Sequence, residues 1–420
     1  MTGQAAAIDP ARLLRRIDQF AAIGATTDGG VDRQALTPGD RAARSLLAGL
    51  ARARGFAVSQ DAMANLFVRR EGVRGDLPPL LIGSHLDSQP TGGRFDGALG
   101  VIAAFEVLEA LEDAGIETPR PIELVAWTNE EGSRFAPGAM GSQAFAAAAI
   151  PDAWGSLVAP DGTSFAGELQ ATIDALPGAA RRPLGGAIAA YVELHIEQGP
   201  VLERAKTPIG VVTGIQGTRW LEVTMTGRAA HAGTTPLSFR RDPLVAAVAL
   251  MKQLHDTVMP ADPDARLTVG RIGALPGSVN AIPGSVSFSL DLRHPLADRL
   301  ADLEARVRHL AAEAAATEGC STEVARTLDM PPADFPETLR QAIETAAART
   351  GHRSMRMLSG AFHDALYLAH VAPAAMVFVP CRDGLSHNPG EFVHPQDAVA
   401  GTQVMLQLVL DLCEGGLPVA

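Results

Sequence analysis

The stretch that decides the fold is "GSHLDSQPTGGRFDG", Gly83–Gly97, which follows the apolar run "PPLLI". Four of its fifteen residues are glycine, so the sequence predicts a buried strand that leads directly into a tight, polar loop. The loop also carries His85, Asp87 and Asp96. Aspartate is common in glycine-rich turns, but a turn does not require a histidine. The three side chains therefore indicate a functional site beyond a strand end, with ordinary turn chemistry as the alternative.

A second strand with the same arrangement follows downstream. The segment "IELVAWTNEE", Ile122–Glu131, is again an apolar run that ends in polar residues. Between the two strands an apolar stripe at helical spacing predicts a helix, with the acidic residues of that segment mostly off the stripe. The stripe consists of Val101, Phe105, Leu108 and Leu111. Strand, helix and strand in this order predict an α/β sheet, in which ligands bind beyond the carboxyl ends of the strands.

From about residue 214 the pattern changes to strands that alternate apolar and polar residues, as in "WLEVTMTG" and "GSVSFSLDLRH". Asp242–Pro243 is a typical helix start, and a second amphipathic helix is predicted from about Leu296 to Ala315. Strands with one solvated face and two helices predict a small α+β domain, inserted because helix and the buried strand "AAMVFV" return after it. The predicted boundaries are 1–213 and 331–420 for the catalytic domain and 214–330 for the insertion.

The composition limits the classes of partner. The chain has 420 residues, 47% of them hydrophobic, and a formal net charge of −12. An acidic chain is a poor match for nucleic acid and for anionic membranes, although it does not exclude an anionic substrate. Three widely spaced cysteines without a CxxC motif indicate reduced thiols in the cytoplasm. We found neither a leader pattern nor an apolar run of about 20 residues, so we expect a soluble cytoplasmic protein.

Five polar clusters stand at predicted strand ends or loops and together suggest a metal site. They are His85 with Asp87, Asp96, Glu130–Glu131, His195 with Glu197 in "ELHIEQGP", and His387 in "GLSHNPGEF". Histidine and carboxylate ligands suit Zn, Mn, Co or Ni better than Mg or Ca. The numbers fit two ions bridged by one carboxylate, with a spare glutamate as general base. Each cluster alone also has an ordinary explanation as a cap, a turn or a solvated face, and spacing alone leaves both alternatives open.

Longer motifs give a specific resemblance. They are "GSHLDSQPTGGRFDGALGV", "TNEEGSRF", "ELHIEQGPVLE", "GIQG", "HAGTTP", "GSVNAIPG", "DLRH", "SGAFHDA" and "SHNPGE". Together, and in this order, they resemble the hydantoinase/carbamoylase branch of metal-dependent amidohydrolases. That branch includes N-carbamoyl-L-amino acid hydrolases, allantoate amidohydrolases and β-ureidopropionases, and belongs to the aminoacylase and carboxypeptidase G superfamily. The resemblance implies a dimetal-peptidase-like α/β catalytic domain with a mixed sheet flanked by helices, plus an inserted smaller α+β lid and dimerisation domain.

The resemblance also implies a ligand set for two divalent metal ions per subunit. One ion would be bound by His85, Asp96 and His195, and the other by Asp96, Glu131 and His387. Glu130 would be the general base that activates the bridging water and returns the proton to the leaving nitrogen. Asp87 would hold the imidazole of His85 in one tautomer and orientation.

Substrate residues are implied in the same way. Arg293 and Asn280 resemble the groups that grip the substrate carboxylate, a task that suits the guanidinium fork. His231 resembles a histidine that reaches the active site of the other subunit and stabilises the oxyanion, which implies a homodimer through the inserted domain. Further contacts are expected from Gln216, Ser359, Gly360 and His363, although His363 could equally be structural. Phe362 is a departure, because many relatives carry glycine there.

Three functions are compatible with these observations. The first is hydrolysis of the ureido C–N bond of an N-carbamoyl-L-amino acid or related ureido acid, with release of ammonia and carbon dioxide. The second is an aminoacylase or dipeptidase reaction at the same dimetal site, against which His195 argues, since peptidase relatives have a carboxylate at this place. The third is a non-catalytic binding protein, against which the complete ligand set and Glu130 argue.

Overall fold

The structure is a computed structural model that describes residues 6–414, and within them the chain forms eleven α-helices and sixteen β-strands. The helices are α1 (Pro10–Ala21), α2 (Pro38–Ala53), α3 (Ala98–Asp113), α4 (Met140–Ala147), α5 (Phe165–Asp174), α6 (Val201–Ala205), α7 (Pro243–Thr257), α8 (Ala297–Thr317), α9 (Glu337–Arg349), α10 (Ala365–Leu368) and α11 (Pro395–Glu414). The strands are β1 (Ala57–Gln60), β2 (Leu66–Arg70), β3 (Leu80–His85), β4 (Ile122–Trp127), β5 (Ala180–Arg181), β6 (Ala190–Ile196), β7 (Ile209–Ile215), β8 (Gly217–Thr226), β9 (Ala230–His231), β10 (Arg266–Leu275), β11 (Ala281–Ile282), β12 (Ser285–His294), β13 (Ser321–Met330), β14 (Ala333–Asp334), β15 (Ser354–Ser359) and β16 (Ala374–Val379).

The chain divides into two compact units. Of the described residues, the larger unit contains 6–213 and 334–414, and the smaller contains Gly214–Ala333. The larger unit is built on a mixed sheet with the order β14-β7-β16-β6-β3-β4-β2-β1-β5, and β15 pairs with β7. Its four central strands, β16, β6, β3 and β4, are parallel to their neighbours in this group. Helices pack against the sheet, so the predicted α/β class with a mixed sheet flanked by helices is confirmed.

The four parallel strands place the polar loops at one edge of the sheet. The apolar runs quoted above become β3, β4 and β16, and every residue of these strands is buried. Because parallel strands end at the same edge, the segments that follow β3, β4, β6 and β16 are neighbours in space. This arrangement brings together residues that lie up to about 300 positions apart in the chain.

Helix α3 is more deeply buried than its apolar stripe predicts. It packs against β3, β4 and β6, and α1 covers another of its sides. As a result Glu106 and Glu109 are only 1% and 2% exposed, although they lie off the stripe. Glu106 accepts hydrogen bonds from Arg12 at 2.7 and 2.8 Å, and Glu109 accepts one from Arg16 at 2.9 Å. Arginines of α1 therefore compensate carboxylates that the sequence pattern assigns to a solvated side.

The smaller unit has an antiparallel sheet with the order β10-β12-β8-β13, and helices α7 and α8 cover one face. Strand β12 alternates buried and partly exposed residues along its whole length, as the sequence pattern predicts. The carboxylate of Asp242 accepts a hydrogen bond from the Leu244 N–H at 3.0 Å and caps α7. Strands β9 and β11 form a separate two-stranded ribbon.

Within residues 6–414 no helix combines the length and the apolar composition that a transmembrane helix needs.

Candidate metal centre

Four segments at the carboxyl edge of the central sheet supply the candidate site. His85 is the last residue of β3, and Glu130–Glu131 follow β4. His195 lies one residue before the end of β6, and His387 follows β16. Asp96 lies just before α3, where Gly97 has a φ of 62°. A Cβ on Gly97 would stand 2.3 Å from the His85 ring, so this glycine is required by the close approach of the backbone to the imidazole.

The first candidate group consists of His85, Asp96 and His195, whose ligand atoms all lie within 4.8 Å of one another. Asp96 Oδ1 lies 3.2 Å from His195 Nε2 and 3.9 Å from His85 Nε2. All three residues are buried. His195 Nε2 is buried and has no hydrogen bond of acceptable geometry among the described residues. A buried ring nitrogen without such a partner is a natural position for a metal bond.

Backbone carbonyls orient both histidines of this group. His85 Nδ1 lies 2.9 Å from the Asp87 carbonyl oxygen, and His195 Nδ1 lies 3.0 Å from the Ile196 carbonyl oxygen. A carbonyl can only accept, so each Nδ1 carries the proton and each Nε2 of the neutral ring keeps its lone pair. This is the tautomer that a metal-ligating histidine needs.

The second candidate group consists of Asp96, Glu131 and His387. His387 Nε2 lies 3.3 Å from Asp96 Oδ2 and 3.3 Å from Glu131 Oε2. Glu131 is held by Gln89, which donates through its backbone N–H at 3.2 Å and through its side-chain amide at 2.8 Å. The two oxygens of Asp96 thus face different groups, Oδ1 the first and Oδ2 the second. This is the arrangement expected of a carboxylate that bridges two ions.

Glu130 lies beside the first group without belonging to either candidate ligand group. Its Oε2 is 3.4 Å from His85 Nε2, and the residue is 5% exposed. The Glu130–Glu131 pair therefore splits in the structure. Glu131 faces His387, and Glu130 faces the first group.

The carboxylate of Asp87 contacts a different part of the site from the one that the resemblance implies. Its backbone carbonyl, not its carboxylate, accepts the hydrogen bond from His85. The carboxylate accepts the backbone N–H groups of Glu130 at 3.3 Å and Glu131 at 3.1 Å. These two donors occupy the carboxylate, whose nearest oxygen remains 3.9 Å from His85 Nδ1. Asp87 thus fixes the His85 tautomer through its main chain and the Glu130–Glu131 backbone through its side chain.

The carboxylates of the site strongly favour a bound cation. Burial raises the pKa of Glu130 well above its ordinary value, and the nearby carboxylates of Asp364 and Glu131 raise it further. Burial and then the charge of Asp96 raise the pKa of Glu131 to about 8. Burial also raises the pKa of Asp87 to about 7. Ionising these buried groups together is unfavourable unless a positive charge lies between them, so the donor set fits divalent ions.

The histidines differ according to their distance from Asp96. Burial lowers the pKa of His85 to about 4. Burial also acts to lower the pKa of His195, but the contact with Asp96 outweighs it and raises this pKa to about 9. The hydrogen bond to Asp96 likewise raises the pKa of His387 to about 9. Burial would raise the pKa of Asp96, but the contacts with His195 and His387 hold it well below its ordinary value. The contact with Asp96 therefore decides in which direction the pKa of each histidine shifts.

The motif "SGAFHDA" lies behind His195. The ring of His363 packs on that of His195 with centroids 4.4 Å apart, and its Nε2 contacts Ser359 Oγ at 3.0 Å. Both Ser359 and His363 are 1% exposed, whereas Gly360 is exposed. In this conformation His363 supports the His195 ring from behind, and Gly360 is the predicted pocket residue of this motif that is open to solvent.

Phe362 packs against the loop that follows the glutamate pair. A Cβ on Gly138 would stand 2.9 Å from Phe362 Cζ and 2.4 Å from the Glu130 carbonyl oxygen. Phe362 is partly exposed, between the exposed Gly360 and the buried His363. Its ring is therefore placed beside the backbone of Glu130.

The predicted substrate residues of the smaller unit form two separate pairs. His231 in β9 pairs with Ala281 in β11, next to Asn280, and both His231 and Asn280 are exposed. His231 Nδ1 accepts the N–H groups of Gly233 at 3.0 Å and Thr234 at 3.2 Å. The neutral ring therefore carries its proton on Nε2, as a hydrogen-bond donor.

The other pair is Gln216 and Arg293, at the far end of the β8–β12 ladder. Gln216 directly precedes β8, and Arg293 pairs with Thr218. The guanidinium forms a two-point contact with Asp291, both bonds being 2.9 Å. Arg293 and Ser285, where β12 begins beside the ribbon, are eight residues apart along the strand. At about 3.3 Å per residue this places Arg293 roughly 25 Å from the ribbon end of the ladder.

Four buried or half-buried polar residues join the site without a role assigned to them from the sequence: Glu193, Gln198, Ser386 and Glu391. Glu193 accepts hydrogen bonds from Ser84 Oγ at 2.7 Å and from the Ala365 N–H at 3.1 Å. The other three surround Asp96. All four lie within motifs quoted above, and Glu193, the first residue of "ELHIEQGP", precedes His195 by two positions in a strand that is buried throughout. A glutamate in such a strand was a signal that sequence reasoning passed over.

Comparison with known proteins agrees with this geometry. Residues 81–411 match the model of peptidase family M20/M25/M40. The chain is 40% identical over 415 residues to an N-carbamoyl-L-amino acid amidohydrolase of Geobacillus stearothermophilus, with 96% of this chain and 98% of the relative covered. It is 30% identical to a ureidoglycolate hydrolase of Arabidopsis thaliana, with 95% and 85% covered.

A solved structure gives the same result. The crystal structure of an amidase of the hydantoinase/carbamoylase family from Burkholderia multivorans is 44% identical and superposes with a TM-score of 0.89, covering 99% of this chain and 100% of that one. The M20 family is metal-dependent, in agreement with the candidate ligand groups among the described residues. Besides the two groups above, Glu193, His195 and His363 form a third, which shares His195 with the first. The chain therefore belongs to peptidase family M20/M25/M40 and, with its solved relatives, to the hydantoinase/carbamoylase family of amidases.

Proposed function

We propose that the protein hydrolyses the ureido C–N bond of N-carbamoyl-L-amino acids or related ureido acids. One water is consumed, and the products are the free amine, ammonia and carbon dioxide. The observation that carries the proposal is the sharing of Asp96 between two ligand groups beside Glu130. The 40% identity to an N-carbamoyl-L-amino acid amidohydrolase supports the substrate class.

Two divalent ions, Zn, Mn, Co or Ni, would be held by the side chains of the two groups. His85, Asp96 and His195 would hold one, and Asp96, Glu131 and His387 the other. When bound, such ions acidify a water molecule and polarise the carbonyl of the substrate. The protein fixes the donor atoms by the backbone contacts of His85 and His195 and by the two Gln89 hydrogen bonds to Glu131.

Glu130 would move the proton. Its buried carboxylate is a stronger base than an exposed one, because burial and nearby carboxylates raise its pKa. It takes a proton from the attacking water and delivers it to the leaving nitrogen. The Asp87 carboxylate holds the Glu130 backbone and so limits where this proton carrier can move.

The carboxylate of the substrate would be bound by Arg293, with Gln216 nearby, while Ser359, Gly360 and His363 would form part of the pocket wall. The two-point contact with Asp291 presents the Arg293 guanidinium in a fixed plane. His231 and Asn280 would come from the second subunit of a homodimer, with His231 donating from Nε2 to the oxyanion. Within one chain the β9–β11 ribbon and Arg293 lie at opposite ends of the β8–β12 ladder. This separation supports the assignment of His231 and Arg293 to different subunits at one site. Three unpaired cysteines are compatible with the expected cytoplasmic location.

Ammonia release from a panel of ureido acids tests the proposal. Protein stripped of metal and reconstituted with Mn or Zn would be given N-carbamoyl-L-amino acids, their D-forms, ureidopropionate and allantoate. Amine release from N-acetyl amino acids would be scored separately. We expect metal-dependent ammonia from the L-ureido acids. No ammonia, together with amine from the acetyl compounds, would move the protein to the aminoacylase reaction.

A further inference from the structure

Glu391 connects two parts of the candidate site that come from distant loops. Its Oε1 accepts the backbone N–H groups of Phe95 at 2.9 Å and Asp96 at 3.0 Å. Its Oε2 accepts a hydrogen bond from Ser386 Oγ at 2.9 Å. Glu391 is 2% exposed and lies four positions after His387. The loop that carries His387 is therefore hydrogen-bonded to the backbone of Asp96, the residue whose carboxylate the two groups share.

The glycine-rich loop is shaped to receive this carboxylate. A Cβ on Gly93 would stand 2.1 Å from Glu391 Cδ, so any other residue would displace the glutamate. Burying a carboxylate among backbone atoms is unfavourable unless its oxygens are hydrogen-bonded, and here both oxygens are. The contact between Glu391 and the glycine-rich loop is thus specific and fully hydrogen-bonded.

Ser386 and Gln198 complete the connection on the side of the second group. Gln198 Nε2 donates to Asp96 Oδ2 at 2.9 Å and contacts Ser386 Oγ at 3.2 Å. Ser386 Oγ lies 3.1 Å from Asp96 Oδ2 and 2.9 Å from Glu391 Oε2. A hydroxyl has one proton, so Ser386 can donate to only one of these two carboxylates at a time. When Oδ2 of Asp96 binds a cation, the proton of Ser386 has Glu391 as its alternative acceptor.

These contacts serve one candidate group more than the other. Gln198 and Ser386 contact Asp96 Oδ2, the oxygen that faces His387, while Glu391 accepts the Asp96 backbone N–H. No described hydrogen bond from these three residues reaches Oδ1. His85 and His195 are oriented by carbonyls of their own segments. His387 is half exposed and has a φ of 53°, a backbone conformation that costs energy for a residue other than glycine. It therefore depends on neighbouring contacts for its position.

We propose that Glu391 and Ser386 are positioning residues for the second cation: they hold Asp96 and the His387 loop together so that Asp96, Glu131 and His387 can bind it. This inference rests on the proposed dimetal hydrolase. Neither residue is among the predicted substrate contacts. Removing either side chain should selectively weaken binding of the second cation. The His85–Asp96–His195 group should still bind the first.

The test compares three variants of the full-length protein, Ser386→Ala, Glu391→Gln and Glu197→Gln. Glu391→Gln keeps an oxygen for the two backbone donors but turns an NH₂ group toward Ser386, whose proton is then directed to Asp96 Oδ2. Glu197→Gln is a stringent control: Glu197 accepts the N–H groups of Val201 and Leu202 at separate oxygens, both at 2.7 Å, so its amide keeps only one of the two bonds. No described hydrogen bond joins Glu197 to Asp96.

Manganese is the probe, with bound Mn²⁺ per chain counted by equilibrium dialysis and the spectrum recorded by electron paramagnetic resonance. Two ions sharing Asp96 give an exchange-coupled spectrum, and a single ion gives the spectrum of isolated Mn²⁺. We expect the wild type and Glu197→Gln to show the coupled pair. Ser386→Ala and Glu391→Gln should show one isolated ion, with the pair restored at about 10- to 100-fold higher Mn²⁺.

Two outcomes would overturn the inference. One is a coupled pair in both Ser386→Ala and Glu391→Gln at the Mn²⁺ concentration that saturates the wild type. The other is equal loss of both ions, which would mean a general structural role. A wild-type protein that binds the coupled pair but releases no ammonia from ureido acids would contradict the proposed substrate and leave the positioning role intact.

Discussion

His85 and Asp87 are joined by a hydrogen bond between the imidazole Nδ1 and the Asp87 backbone carbonyl, at 2.9 Å, and not by the Asp87 carboxylate. That carboxylate instead accepts the N–H groups of Glu130 and Glu131. Asp87, which follows β3, thus orients a histidine with its main chain. Its side chain holds the glutamate pair that follows β4. The two functions can be separated by mutation.

Asp87→Asn should reduce turnover more than it reduces binding of the first cation. Asparagine has one acceptor oxygen where aspartate has two, so one of the two glutamate N–H groups loses its partner. The carbonyl that orients His85 is unchanged. We expect turnover of the metal-loaded protein to fall about 10- to 100-fold. Steady-state ammonia release and bound metal per chain would be measured together. Loss of the first cation with unchanged turnover of the loaded fraction would show that the carboxylate acts on His85 after all.

Glu130→Gln should abolish most activity while both ions remain bound. The amide cannot accept and return a proton, and general-base catalysis contributes about 10²- to 10⁴-fold to a rate. The size and position of the side chain are preserved, so metal content should match the wild type. The kinetics of the reconstituted variant, with metal counted in the same sample, provide the measurement. Near-normal turnover with metals bound would exclude Glu130 as the base.

Mixing two inactive variants tests whether the site is built from two subunits. His231→Ala and Arg293→Ala should each be strongly impaired. In a mixed dimer one site takes Arg293 from one chain and His231 from the other, both intact, while the second site lacks both. Random reassociation of equal amounts therefore restores about a quarter of the wild-type activity. Should both residues act within one chain, the mixture would stay as inactive as its components.

Phe362→Gly should change the choice between small and large substrates. The ring packs against Gly138 beside the Glu130 backbone, and its removal opens space there. We expect the ratio of kcat/KM for N-carbamoyl-L-phenylalanine to that for N-carbamoyl-L-alanine to rise about tenfold, the scale of discrimination by pocket size. Phe362→Leu, which keeps most of the bulk, is the control. An unchanged ratio in the glycine variant would place the ring outside the pocket.

Asp61 predicts a pH dependence of stability away from the metal site. Burial raises its pKa to about 6, although Asn65 donates to the carboxylate at 2.8 Å. The folded chain therefore binds this proton more tightly than the unfolded chain, and stability from this group declines as the pH rises from about 4 to about 6.

Asp61→Asn removes this titration. Urea unfolding of the metal-free protein at several pH values should then give a slope of the unfolding free energy that is more positive by at most about 1.4 kcal/mol per pH unit in this range. The absolute stability of the variant can fall, since the carboxylate also accepts the Met63 and Asn65 N–H groups. A slope identical to that of the wild type would mean that Asp61 is not protonated in the folded chain.

Elements with a strong local pattern could be predicted from the sequence. Strand β12 and helix α7 follow from alternation and from a cap, both of which are properties of neighbouring residues. Glu106 shows the limit, because its burial depends on Arg12, which lies 94 positions earlier. No periodicity within α3 carries information about a helix that packs on it from elsewhere in the chain.

The sequence by itself determined the ligand types, their order along the chain and their places after strands, because these follow from residue chemistry and local pattern. Only the tertiary structure decided which atom meets which. It directs the His85 ring to a carbonyl, faces the two oxygens of Asp96 toward different groups, and lets Glu391 hold a loop nearly 300 positions away. The physical reason is that a hydrogen bond is lost when its two groups move apart by a few tenths of an ångström. Here parallel strands bring those groups together from distant parts of the chain, and no local pattern encodes their separation.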